Sequence, residues 1–122
     1  MKTINRIIDI KNVTAPMLDT MLAEAAGIKA CRWSGLDYET LGWTKPEVDA
    51  VAVSAPEASL FGFRMAMPVC GAAKTPYADS RQALLGELNV DGAEAVLFTV
   101  YDFDNSDCHS VLVYRDGLVE KL

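Results

Sequence analysis

The segment from Gln82 to Tyr114 contains six carboxylates and neither lysine nor arginine. Carboxylates concentrated in this way can bind a hard cation, take part in acid–base chemistry or attract a basic protein surface. They can equally do no more than keep the surface soluble, and the sequence leaves that alternative open. The six carboxylates are Glu87, Asp91, Glu94, Asp102, Asp104 and Asp107.

Three oxygen-bearing residues in this segment follow the spacing of a calcium-binding loop. Asp102, Asp104 and Ser106 occupy its first, third and fifth positions. However, Asp107 stands where that loop needs glycine, and Val113 stands where it needs a bidentate glutamate. Because of these departures we expect the acids to cap a turn, and we predict neither a metal nor another cofactor.

Nucleophilic catalysis would need a thiolate beside a histidine, and His109 is the only histidine of the chain. Cys108 precedes it directly, but neighbours on a strand point to opposite faces. Cys70, ahead of Gly71, is the better-placed nucleophile, and Cys31 comes second. Since no recognisable catalytic pattern emerges, we predict buried, inert thiols and a protein that is not an enzyme.

Three aromatic residues form a second candidate site, because they lie close together around a loop that contains glycine. Clustered aromatic rings with a polar edge can form a recognition surface, although rings that close the rim of the core are the commoner explanation. We predict that they join four of the carboxylates in one partner-binding surface. Its residues are Glu94, Asp102, Asp104, Asp107, Trp33, Tyr38 and Trp43.

The elements that position these residues begin with a strand over residues 3–11, which are rich in isoleucine. A helix follows, since Thr14 can cap it, Pro16 suits its first turn and Gly27 can close it. A second strand is predicted over residues 28–33. The apolar residues expected on the buried face of the helix are Met17, Leu18, Met21, Leu22 and Ala25.

The middle of the chain admits two interpretations, because residues 44–54 contain both a capping box and a run of Val and Ala. We favour a strand over residues 48–53. The deciding feature is the next segment, residues 60–67, in which large apolar residues alternate with period two and predict the fourth strand of the chain. Residues 55–59 would form the turn between these strands.

A second helix is predicted over residues 80–88, with Asp79 and Gln82 as a capping pair and Leu84, Leu85 and Leu88 buried.

A β-hairpin follows the second helix, with an apolar strand over residues 95–103, a polar turn at 104–107 and a strand over 111–114. Both faces of the first strand are apolar, which predicts a central strand covered on both sides. Residues 115–117 form another turn before a short tail at 118–122. The predicted class is α+β, with a single, mainly antiparallel β-sheet, two helices packed on it and the order β-α-β-β-β-α-β-β.

The composition predicts one globular domain over residues 1–122, because half of the residues are hydrophobic and 122 residues can bury a core. No apolar run is long enough to span a bilayer, and Arg6 and Asp9 interrupt the region that a signal peptide would need apolar. Three widely spaced cysteines indicate neither a disulfide framework nor a zinc site. These features predict a cytoplasmic protein that does not contact a membrane.

A net charge of −6 disfavours direct binding to nucleic acid. The first functional hypothesis is therefore a small acidic binding protein that docks on a basic protein partner, as an inhibitor, an immunity or antitoxin-like protein, or an adaptor. The alternative is a small-molecule-binding or sensor domain, with a pocket lined by aromatic residues and methionines. A cysteine-dependent enzyme comes third. The sequence does not determine whether the protein forms a homo-oligomer.

Overall fold

The computed structural model describes residues 5–29, 48–54, 59–60, 63–64, 67–69, 77–102, 105 and 107–122. These residues form two helices and eight strands in the order β1-α1-β2-β3-β4-β5-α2-β6-β7-β8. The helices are α1 (Ala15–Ala26) and α2 (Ser80–Leu88). The strands are β1 (Asn5–Ile7), β2 (Ala50–Ser54), β3 (Ser59–Leu60), β4 (Phe63–Arg64), β5 (Met67–Pro68), β6 (Ala95–Asp102), β7 (Asp107–Tyr114) and β8 (Leu118–Lys121).

Six of these strands form one sheet in the order β1-β8-β7-β6-β2-β5, and every described pairing in it is antiparallel. The α+β class, with a main antiparallel sheet and two helices, is therefore confirmed. The strand predicted over residues 60–67 is not continuous, because Leu60 pairs with Phe63 in a separate two-stranded sheet. Met67 and Pro68 instead pair with β2 at the edge of the main sheet.

Helix α1 begins and ends where its sequence signals predict. The Thr14 hydroxyl accepts a hydrogen bond from the Met17 backbone N–H at 3.3 Å, which satisfies one of the unpaired donors of the first turn. Gly27 closes the helix with φ +77°, a conformation that glycine adopts without steric cost. Ile28 and Lys29 follow as a bend, so the predicted strand does not begin at residue 28, and its remaining residues lie outside the described part.

Helix α2 has the predicted bounds and the predicted cap. The Asp79 carboxylate accepts from the Gln82 backbone N–H at 2.8 Å. The Gln82 side chain reaches back to the Ala78 backbone N–H at 3.4 Å. Cap residues such as Asp79 contribute about 1 kcal/mol to stability.

Both helices pack on the same face of the sheet and form the main core with it. Its fully buried large side chains include Leu18, Leu22, Leu84, Phe98 and Val100. The opposite face carries a smaller cluster, in which Val53, Ala95 and Leu112 are buried. The sheet is thus covered unequally on its two faces.

Strand β6 is central in the sheet, as predicted, but its two faces differ. The residues that face the helices are buried, whereas Leu97, Thr99 and Tyr101 on the other face are only half-buried. The predicted double cover therefore holds at Ala95 and weakens toward the other end of the strand.

Two apolar residues predicted to be buried are exposed instead, Met17 at 58% and Leu85 at 37%. Each lies at the margin of the helical apolar stripe, where the neighbouring elements no longer cover it. The predicted tail after residue 117 is strand β8, which places its backbone between β7 and β1. Neither described helix has the length and apolarity that crossing a membrane would require.

Candidate functional site

The β6–β7 hairpin positions the described acidic residues. Its register pairs Asp102 with Asp107, Tyr101 with Cys108, and Val100 with His109. We call residues 102–109 the hairpin tip. Since paired residues of an antiparallel ladder share a face, Asp102, Asp107 and His109 lie on the face that carries the helices, and Cys108 lies on the other.

Asp102 is buried, with 8% of its surface exposed. Its two carboxylate oxygens accept hydrogen bonds from Asn105, one from the backbone N–H at 3.4 Å and one from the side-chain amide at 2.7 Å. A carboxylate used in this way closes the turn, which is a common role for aspartate. The expectation that Asp102 belongs to an exposed acidic surface therefore does not hold.

Asp107 is the exposed acid of the described hairpin tip, with 64% of its side chain accessible. One carboxylate oxygen accepts from the Cys108 backbone N–H at 2.9 Å. The other lies 3.7 Å from Nε2 of His109, whose side chain is 17% exposed. This pair can form an ion pair when the imidazole is protonated.

Cys108 is a free, exposed thiol, whereas a buried one was predicted. It cannot act on the same substrate atom as His109, because the two side chains project from opposite faces of β7. Cys31 and Cys70 lie outside the described residues.

Glu94 lies at the other end of β6 from the hairpin tip. At about 3.3 Å per residue, the eight residue steps from Glu94 to Asp102 span roughly 26 Å. The predicted acidic surface is therefore divided between two ends of the hairpin.

We call the second end the hairpin base and define it by Asp91, Glu94, Tyr114, Arg115 and Asp116. The Arg115 backbone N–H donates to the Glu94 carbonyl at 3.0 Å, which joins the two strands there. All three carboxylates of the hairpin base are exposed. Residues of the base border a shallow groove of about 350 Å³.

The guanidinium of Arg115 is held by backbone carbonyls at the hairpin base. It donates to the Ala93 carbonyl through two nitrogens, at 2.8 and 3.2 Å, and also to the Leu88 carbonyl at the end of α2. A cation in this position stabilises the carboxyl end of a helix. Arg115 thus anchors α2 to the hairpin base.

Several predicted site residues lie outside the described residues, namely Asp104, Trp33, Tyr38 and Trp43. Their part in a common surface with Glu94 and Asp107 stays a prediction. Within the described part of the chain, no group of three or more His, Cys, Asp or Glu side chains is arranged to hold a metal ion.

Glu87, which the sequence analysis counted among the six carboxylates but not among the site residues, is buried and joins helix α2 to the sheet. Glu87 accepts a hydrogen bond from the Ala52 backbone N–H at 3.1 Å and another from the Tyr77 hydroxyl at 2.7 Å. Glu87 Oε1 therefore accepts a backbone N–H of β2 that a carbonyl of a neighbouring strand would otherwise accept. Burial, together with the bond to Glu87, raises the pKa of Tyr77 to about 12.

Tyr77 also lies against helix α2 at Gly86. A Cβ atom on Gly86 would come within 2.8 Å of the tyrosine ring, so glycine leaves the space that the ring occupies. A glycine inside a helix is a sequence signal that could have indicated this close approach, although the sequence analysis did not use it.

Comparison with known protein families, curated proteins and solved structures gave no match to this chain.

Proposed function

We propose that this protein is a small acidic binding domain that docks on a basic surface of another protein, as an inhibitor, an immunity or antitoxin-like protein, or an adaptor. The supporting observation is the placement of exposed carboxylates at both ends of a hydrogen-bonded hairpin. Because the ladder already orders the hairpin backbone, a partner has only the carboxylate side chains to order on association.

The charge of the described surface supports this proposal. Seven acidic residues are exposed there, against three lysine or arginine residues, Lys11, Lys29 and Arg115. Of these three cations Arg115 is the least free to contact a partner, since its guanidinium donates to backbone carbonyls. The exposed acids are Asp9, Glu24, Asp49, Asp91, Glu94, Asp107 and Asp116. A surface of this sign accelerates association with a cationic partner.

The hairpin base is the stronger docking candidate of the two ends. It presents three exposed carboxylates, two of which, Glu94 and Asp116, border a groove, whereas the described hairpin tip presents Asp107 alone. The roughly 26 Å between the ends means that a small partner contacts one of them, while an extended partner lies along the hairpin.

The test begins with capture of a partner from the native host, followed by binding measurements on purified proteins at several salt concentrations. We expect Asp91→Asn/Glu94→Gln to weaken binding about tenfold, which corresponds to about 1.4 kcal/mol, and to flatten its salt dependence. Asp107→Asn reports on the hairpin tip in the same way. Glu24→Gln, on α1, removes one exposed negative charge elsewhere and serves as the control.

An affinity that stays within about twofold of wild type in both hairpin variants would contradict docking through these acids. A partner with no basic surface would do so as well. A thermal-shift screen addresses the sensor alternative, because a metabolite that raises the melting temperature would favour small-molecule binding.

A further inference from the structure

A groove of about 270 Å³ lies between residues 8–13, which follow β1, and the first two turns of α1. Ile8 and Val13 line it and are buried. Met17, which is 58% exposed, and the partly buried Met21 line it from α1. These two methionines are four residues apart and therefore lie on one face of the helix. Because their unbranched side chains adapt to different shapes, the apolar walls suit a small apolar molecule.

The polar lining of this groove consists of acceptor groups from Asp9 and Asn12. The Asn12 side-chain amide donates to one carboxylate oxygen of Asp9 at 2.5 Å, and the Lys11 backbone N–H donates to the other at 3.1 Å. A carboxylate can only accept, so the Asn12 amide directs its nitrogen to Asp9 and keeps its oxygen as a further acceptor. A ligand that supplies donors would therefore match this end of the groove.

The charge of the polar end is negative. The hydrogen bond from the Asn12 side chain holds the pKa of Asp9 below its ordinary value, so this carboxylate is ionised at neutral pH. Lys11 also carries a charge close to Asp9, but it borders a different groove, together with Ile10 and Leu85. An anionic group beside apolar walls disfavours ligands that carry a carboxylate or a phosphate and complements a cation.

We propose that this groove binds a small apolar amine. The apolar body of the ligand packs against Met17 and Met21, and its ammonium donates to Asp9 and Asn12. An ammonium has three N–H donors and no acceptor, which matches two acceptor groups. The size of the groove agrees with such a ligand, since a cavity of about 150 Å³ holds benzene. A space of about 270 Å³ therefore holds an aromatic ring with a short aminoalkyl chain.

The exposure of the groove sets the strength of binding. Asp9 is exposed, so its attraction for an ammonium is weakened by water, and we expect a gain of about threefold over a neutral ligand of the same shape. Ligands with one ring and a short chain then bind with dissociation constants on the order of 1 mM. This site is separate from the hairpin base, and neither proposal depends on the other.

Three probes with the same ring and the same two-carbon chain test the proposal: phenethylamine, 2-phenylethanol and 3-phenylpropionate. Each is titrated into the full chain while the ¹³C-labelled methyl signals of Met17 and Met21 are followed by NMR, with assignments from Met17→Leu and Met21→Leu. We expect phenethylamine to shift both signals with a dissociation constant on the order of 1 mM. The alcohol should bind about threefold more weakly, and the carboxylate more weakly still.

A matched pair of variants separates the local charge from the net charge of the protein. Asp9→Asn should remove the preference for the amine over the alcohol, and an unchanged affinity for the alcohol will show that the apolar walls persist. Asp49→Asn removes an exposed charge ahead of β2, four strands away from β1 in the sheet, and should keep the preference.

Four results would overturn the proposal. The first is an absence of shifts in the Met17 and Met21 signals with phenethylamine up to about 20 mM. The second is binding of the carboxylate to the wild type as tightly as the amine, a comparison that requires no variant. The third is a preference for the amine that survives in Asp9→Asn. The fourth is an equal loss of that preference in Asp49→Asn, which would assign it to net charge.

Discussion

Replacing Gly117 with alanine tests how the β7–β8 turn is joined to the first strand. Gly117 has φ +98°, and its carbonyl accepts the Ile8 backbone N–H at 2.8 Å. A Cβ atom at this position would lie 2.1 Å from the Ile8 carbonyl oxygen. Backbone atoms cannot move aside as a flexible side chain can, so either the turn or β1 must shift.

The expected destabilisation has two parts. Placing an alanine at positive φ costs about 1 to 2 kcal/mol. Displacing the turn from β1 breaks the bond between Ile8 and Gly117, which contributes about 1 kcal/mol. We therefore expect Gly117→Ala to lower the free energy of unfolding by about 2 to 3 kcal/mol, a large share of the 5 to 15 kcal/mol typical of a domain.

Two other glycines provide the control. Gly27 and Gly92 also have positive φ, +77° and +83°, but a Cβ atom on either would meet nothing within 4 Å. Alanine at these positions should cost only the conformational part, about 1 to 2 kcal/mol. Urea unfolding of all three variants, analysed with a common slope, measures the differences. If Gly117→Ala is no more destabilising than Gly92→Ala, the steric argument is wrong.

Three further predictions concern helix α2. Replacing a glycine inside a helix with alanine ordinarily raises the free energy of unfolding by about 1 kcal/mol. We expect Gly86→Ala to give no such increase, because the Tyr77 ring occupies the space of the new Cβ atom. In a Tyr77→Ala background the same substitution should give the increase, which urea unfolding measures. Since the folded state raises the pKa of Tyr77 to about 12, stability should be intact below pH 10 and fall as the pH rises from 10 to 12. Tyr77→Phe should flatten that fall in thermal melts, and an unchanged profile would contradict the role of the Tyr77–Glu87 bond. Asp79→Ala should lower the free energy of unfolding by about 1 kcal/mol through loss of the helix cap, whereas Asp91→Ala, in an exposed turn, should cost less.

Local signals predicted the helices well, because the groups that start and stop a helix are adjacent in sequence. Thr14 and Gly27 bound α1 as expected, and Asp79 begins α2. The hairpin was predicted for the same reason, although its second strand begins at Asp107, four residues earlier than expected. Strands in the middle of the chain were harder, since alternation alone does not reveal that Leu60 pairs with Phe63.

The candidate site was predicted less completely than the fold. Asp102 and Asp107 were both expected at an exposed turn, but whether a carboxylate faces solvent depends on the groups packed around it. Asn105 holds Asp102 against the turn, while Asp107 stays in solvent. Glu87 was counted among the six carboxylates of residues 82–114, and only its packing against β2 reveals it as a buried hydrogen-bond acceptor.

The sequence by itself determined what depends on near neighbours: the caps of both helices, the hairpin, the acidic charge and the α+β class. Tertiary structure alone decided the strand order, which brings the last strand beside the first, and the burial of Asp102 and Glu87. The physical reason is that backbone pairing and burial join residues far apart in the chain, and no local pattern specifies those partners. Ile7 illustrates both levels, since its apolar character is read from the sequence, whereas its exposure at a sheet edge follows only from the fold.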